Sequence, residues 1–140
     1  MARCGHRTVP HTADLRIEAW GGSREECLAQ AAQALVASFA EFRGAPAARS
    51  VTVRLPAAPP ADLLTLLLDE IVYLVDAGDE VPVTITVRPA ADGGADADLG
   101  LASLASAEIV GAAPKAISLH ELRCEADAAG QWSASVTVDV

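Results

Sequence analysis

Leu15 to Trp20 alternates apolar and polar residues, the period of a half-buried strand, and Gly21-Gly22 ends it. Ser23-Arg24-Glu25-Glu26 then has the form of a capping box, in which the serine hydroxyl accepts from the Glu26 amide while the Glu26 side chain reaches back. Behind it, the spacing of Leu28, Ala31, Ala32, Leu35, Val36 and Phe39 predicts a helix to about Ala40. After the Gly44-Ala45-Pro46 loop, Ser50 to Leu55 alternates as a second strand, stopped by Pro56 and Pro59-Pro60. A second helix is expected from Ala61 or Asp62 to roughly Asp76, with Gly78 placed to end it. Its apolar residues wrap most of the circumference, so it is expected to be buried on more than one side. Val81 to Val87 is a third strand, with Pro82 marking its start or an edge position. Ala90 to Asp98 reads as a polar loop or hairpin connection, followed by two weaker strands, Leu99 to Leu104 and Ala107 to Val110. Ala116 to Glu125 and Trp132 to Val140 form a final pair joined by the turn-rich Asp127 to Gly130. Along that last strand Trp132, Ala134, Val136 and Val138 share one face, and Ser133, Ser135, Thr137 and Asp139 the other.

These elements predict one α+β domain over residues 1–140, with two helices packed on a largely antiparallel or mixed sheet. The length, 140 residues, suffices for a core without disulfides or metal. No apolar run is long enough to span a membrane, and no apolar stretch follows Arg3 and Arg7, so neither a membrane anchor nor a secretory signal is expected. Cys4, Cys27 and Cys124 are odd in number and lack C-x-x-C spacing, which argues against a disulfide framework and a zinc site. Cys27 and Cys124 fall on apolar positions and read as small core residues of a reduced, cytoplasmic protein. The net charge is −9, and Lys115 is the sole lysine. That balance disfavours direct, tight nucleic-acid binding and suits a cation or a basic partner.

Asp14 and Asp139 lie near the two ends of the chain, on its first and last strand-like runs, with the Val140 carboxylate beside Asp139. If those strands pair, three oxygen donors meet, the kind of cluster that calcium, magnesium or manganese needs. His11, in His11-Thr12-Ala13-Asp14, is then an acid, base or outer donor near the metal. The plainer alternative is a strand lead-in with Asp14 in a local turn bond and Asp139 solvated. Lys115 and His120 flank Ala116 to Leu119, either as surface residues or as the cations of a polar cleft. Asp92, Asp96 and Asp98 lack the twelve-residue calcium-loop pattern and its closing glutamate, and read as a solvated loop. No nucleophile elbow, phosphate loop, H-E-x-x-H or dinucleotide fingerprint is present, so no catalytic residue is expected.

Taken together, His11-Thr12-Ala13-Asp14-Leu15 with Ile17 and Gly21, the capped helix at Ser23, the Leu63 to Asp76 helix, Lys115-Ala116-Ile117-Ser118-Leu119-His120 and the ending Trp132 to Val140 resemble the archease family. The resemblance implies a small α+β protein, not itself an enzyme, that activates the RtcB-type RNA ligase. That ligase joins cyclic-phosphate or phosphate-bearing RNA ends to hydroxyl ends in tRNA splicing and RNA repair. Its activator is implied to promote guanylylation and multiple turnover. By the same resemblance Asp14, Asp139 and Val140 would bind a divalent metal, with His11, Lys115 and His120 as auxiliary or partner-facing groups. The residues alone leave two rivals open, a small metal-dependent phosphatase or nuclease and a metal-free structural adaptor.

Overall fold

In chain order the elements are strands β1 (Gly5–His11) and β2 (Asp14–Gly21), helix α1 (Arg24–Ala37), strands β3 (Ala40–Glu41) and β4 (Arg49–Leu55), and helix α2 (Pro60–Gly78). Strands β5 (Glu80–Pro89), β6 (Ala95–Ser103), β7 (Glu108–Ile109), β8 (Ala116–Ala126) and β9 (Trp132–Asp139) complete the chain. The computed structural model describes residues 3–11, 14–44 and 46–140, with Pro10 and His11 described by backbone alone.

All pairings among the described residues are antiparallel, as expected, but the strands are divided. One sheet runs β1-β2-β9-β8, a second β4-β6-β5, and β3 and β7 form a short pair. Each helix packs against strands of both larger sheets: α1 against β2 and β5, α2 against β8 and β5. That placement accounts for the apolar wrap of α2. Leu63, Leu64, Leu67, Leu68 and Ile71 are fully buried and join Ile17, Leu28, Leu35, Leu99 and Val138 in one core cluster. No helix of the described residues is long and apolar enough to cross a membrane.

The capping box forms at Ser23, whose Oγ accepts from the Glu26 amide (3.1 Å) while a Glu26 carboxylate oxygen accepts from the Gly22 amide (2.9 Å). The first helix ends at Ala37 rather than Ala40. The Ser38 amide donates to the Ala34 carbonyl, and the chain then leaves the helix so that Ala40 can pair with Ile109, with Phe39 and Ala40 still buried. At the end of α2 it is Asp79, not Gly78, that takes the left-handed conformation (φ 50°), and its carbonyl accepts from the Leu104 amide at 2.8 Å. Pro82 does lie on an edge strand, at a register shift between Pro82 and Thr84.

Two readings are corrected. Strand β1 precedes the expected first strand; it is an edge strand with few large apolar residues, so its pattern carries little signal. The expected polar connection Ala90 to Asp98 is a loop only to residue 94, after which Ala95 begins the central strand of the second sheet. Alanine is the buried member of that alternation, at Ala95 and Ala97, while Asp96 and Asp98 face outward to Arg54 and Arg88. Cys27 and Cys124 are buried as expected, Cys4 is exposed, and all three are free thiols. A hydrogen bond with Cys124, together with burial, pushes the Cys27 thiol up.

Candidate metal centre

The first sheet brings the start of β2 against the end of β9. In the β2–β9 register Asp14 stands directly opposite Asp139, Arg16 opposite Thr137, and Glu18 opposite Ser135. Ile17, Ala19, Ala134, Val136 and Val138 point into the core, so the alternate residues, both aspartates among them, point away from it. Directly opposed side chains on one sheet face lie about 5 Å apart at Cβ, and like charges so placed repel.

The wall over this pair comes from β8. Its pairing with β9 jumps from Ser118↔Thr137 to Arg123↔Ser135, so residues 119–122 bulge out opposite the single residue Val136. Within the bulge Glu121 adopts φ 56°, and the Ser118 Oγ accepts from the His120 amide at 3.2 Å. The bulge exposes Leu119 by 70%. A cavity of about 280 Å³ results, lined by Asp14 and Arg16 of β2, Thr137 and Asp139 of β9, and Ser118, His120 and Glu121 of β8.

The charges of this face are interleaved. Arg7 pairs with Glu18 and holds its carboxyl below the usual carboxylate range. Arg16 Nη1 donates to Glu121 Oε2 at 3.1 Å, and His120 Nε2 lies 3.6 Å from Glu121 Oε1.

The residues singled out from the sequence divide between two places. Asp14, Asp139 and His120 line the cavity just described. Lys115 and Val140 line a second one, about 730 Å³, with Asp69, Val72, Tyr73 and Asp76 of α2. Strand alternation explains the split, since Asp139 and Val140 leave the strand on opposite sides. Lys115 is tied to the acid pair through its backbone, its amide donating to the Asp139 carbonyl at 2.7 Å. The backbone of His11 pairs with Asp14; its side chain, and Thr12 and Ala13 between them, lie outside the described residues.

Arg16 and Glu121 were not among the sequence candidates. Arg16 was within reach of the strand pattern, two residues from Asp14 on the same face. Glu121 was not, because the bulge breaks the alternation that would have placed it.

Two opposed carboxylates are hard oxygen donors whose combined charge matches a divalent ion. Among the described residues no three His, Cys, Asp or Glu side chains are grouped to hold a metal. A hard cation held by this pair would keep water or partner groups on its other positions. The pair does not make the closed cage of a structural metal.

The sequence from residue 6 to 140 matches the model of the Archease protein family. A relative from Mycobacterium tuberculosis, named probable protein archease, is 44% identical over 97% of this chain and 75% of its own length. Protein archease of Archaeoglobus fulgidus is 32% identical over 96% of this chain and 98% of its own. The solution structure of protein 1598 from Methanobacterium thermoautotrophicum superposes with a TM-score of 0.75 at 22% identity, covering 97% of this chain and 99% of that one. The crystal structure of an archease from Thermotoga maritima, titled a possible chaperone, gives 0.66 at 18% identity, over 96% of each chain. The chain belongs to the archease family.

Proposed function

We propose that this chain is a metal-dependent activator of an RtcB-type RNA ligase, promoting the guanylylation and repeated turnover of that enzyme in tRNA splicing or RNA repair. The observation that carries the reading is the β2–β9 register, which sets Asp14 opposite Asp139 at the open end of the sheet. A role exercised on another protein also accords with the description of the Thermotoga maritima relative as a possible chaperone.

In this reading Asp14 and Asp139 hold calcium, manganese or magnesium, with the Val140 carboxylate as a third donor. A bound divalent ion neutralises negative charge that develops on a phosphoryl group during transfer. The β8 bulge presents His120 at the cavity mouth, and Lys115 sits just beyond the strand end; both are partner-facing groups for the ligase or its phosphates. His11 belongs to the same set through its pairing with Asp14. Two side-chain carboxylates bind weakly enough to share or exchange the ion, which suits assistance to another active site.

The test is single-turnover guanylylation of a cognate RtcB-type ligase with GTP, with and without this protein. Wild type is expected to stimulate, and Asp14→Ala and Asp139→Ala to remain folded by circular dichroism while stimulating no more than buffer. Stimulation by both variants at the wild-type level refutes the reading. Phosphatase or nuclease turnover by the isolated protein would favour the hydrolase instead. Stimulation that survives chelation would favour the adaptor.

A further inference from the structure

We propose that Cys27 and Cys124 are an oxidisable dithiol, joined by hydrogen peroxide into a disulfide that staples α1 to the edge strand β8. The inference stands apart from any cation at the end of β2 and β9.

The fold sets the two sulfurs facing each other. Ala19, Ala134 and Cys124 lie side by side on β2, β9 and β8, and all three point into the core. Cys27, in the first turn of α1, lies over this row. Its Sγ donates to the Ala19 carbonyl at 3.7 Å, and a hydrogen bond also joins it to Cys124. Two features let the helix come so near. The other members of the row are alanines, and a Cβ at Gly21 would lie only 2.8 Å from the Cys27 amide nitrogen.

The two thiols differ in what an oxidant meets. Cys27 is 0% exposed and Cys124 7%. Cys124 is also the one buried residue of β8, and it follows directly on Arg123, where pairing resumes after the bulge. A strand paired on one side only and broken by a bulge opens locally more readily than one held on both sides. The hydrogen bond from Cys27 lowers the Cys124 thiol against its burial, and the Arg123 and Arg24 charges add to that. The thiolate is the form that reacts.

Cys124 is thus the attacking group and Cys27 the resolving one. The Cys124 thiolate attacks one peroxide oxygen, the O–O bond breaks, and the leaving hydroxide takes up the proton lost from Cys124. Cys124 is now a sulfenic acid. The Cys27 sulfur then attacks the Cys124 sulfur, forming the S–S bond and breaking the S–O bond, and hydroxide departs with the Cys27 proton as water. Two thiols and one peroxide give one disulfide and two waters.

The test uses the whole chain with Cys4→Ser, which leaves these two thiols alone. After peroxide at neutral pH, unfolding and alkylation, intact mass should show a chain lighter by two hydrogens and carrying no alkyl group. Dithiothreitol should return it to two alkylated thiols. The bridge closes a long loop, from residue 27 to residue 124, so the oxidised chain should unfold at higher urea than the reduced one. Adding Cys27→Ala, with folding checked by circular dichroism, should leave Cys124 as a sulfenic acid that dimedone traps. Two free thiols after peroxide, or oxygen gained with no hydrogens lost, overturns the proposal. So does a bridged chain that unfolds at lower urea than the reduced one, since that bridge belongs to the unfolded chain and not to this packing.

Discussion

Asp98 shows how strongly single side chains are fixed on the outer faces. Its carboxylate accepts from Arg88 Nε and Nη2 (2.6 and 3.0 Å) and from Thr52 Oγ1 (2.8 Å). The Arg88 bonds, then the Thr52 bond, pull its carboxyl down to about 2. Because the folded value lies below the ordinary one, the associated stabilisation is complete above the usual Asp range and is lost as pH falls through about 2. Carboxyl NMR should show Asp98 titrating near 2. Arg88→Gln should return it toward the ordinary Asp value, with little change in stability at neutral pH because the pair is exposed. A wild-type midpoint in the ordinary range contradicts this assignment. The sequence excluded calcium at Asp92, Asp96 and Asp98 on spacing. It could not place them opposite Arg54 and Arg88, because those partners come from other strands.

Among the elements, α1 follows most directly from local chemistry. Its start is written in Ser23 and Glu26, and both capping bonds form. Ser23→Ala should destabilise the protein by about 1 kcal/mol in urea unfolding, with an unchanged m value. An effect within error would mean that tertiary packing alone sets this terminus. Helix α2 and the β8–β9 pair were equally legible, from helical spacing and strand alternation. The lower legibility of β1 and β6 has a common cause, since few of the β-branched or aromatic residues that mark a strand are present: only Thr8 and Val9 in β1 and none in β6. The bulge at 119–122 was invisible for a different reason. It is defined by a mismatch between two strands, and no single run of residues encodes it.

At the scale of the whole molecule, composition set the sign of the surface and topology set where that charge converges. A net charge of −9 on 140 residues leaves a protein that attracts cationic partners over several ångströms. Association with the proposed ligase partner is expected to slow as ionic strength rises from about 50 to about 300 mM salt, the range over which screening becomes effective. Stopped-flow mixing would show it, and a salt-independent on-rate would argue for an apolar interface. The meeting of Asp14 with Asp139 was anticipated from pairing of the expected first and last strands, and the antiparallel register of β2 with β9 supplies it, although β1 precedes β2. The side-chain donors were legible to that extent. Strand alternation already sends Val140 to the other side from Asp139; what the sequence did not supply is the wall of Asp69, Val72, Tyr73 and Asp76 from α2 that makes a second cavity there.

The central claim is that the Asp14–Asp139 pair is where a divalent cation binds. Mn²⁺ titrated into isotope-labelled protein reports the place directly, through paramagnetic broadening of amide resonances. Residues 14, 16, 137 and 139 should broaden first, and Asp139→Asn should abolish that pattern. Broadening centred instead on Asp92 to Asp98 or on Asp69 and Asp76, or surviving unchanged in Asp139→Asn, would contradict the account.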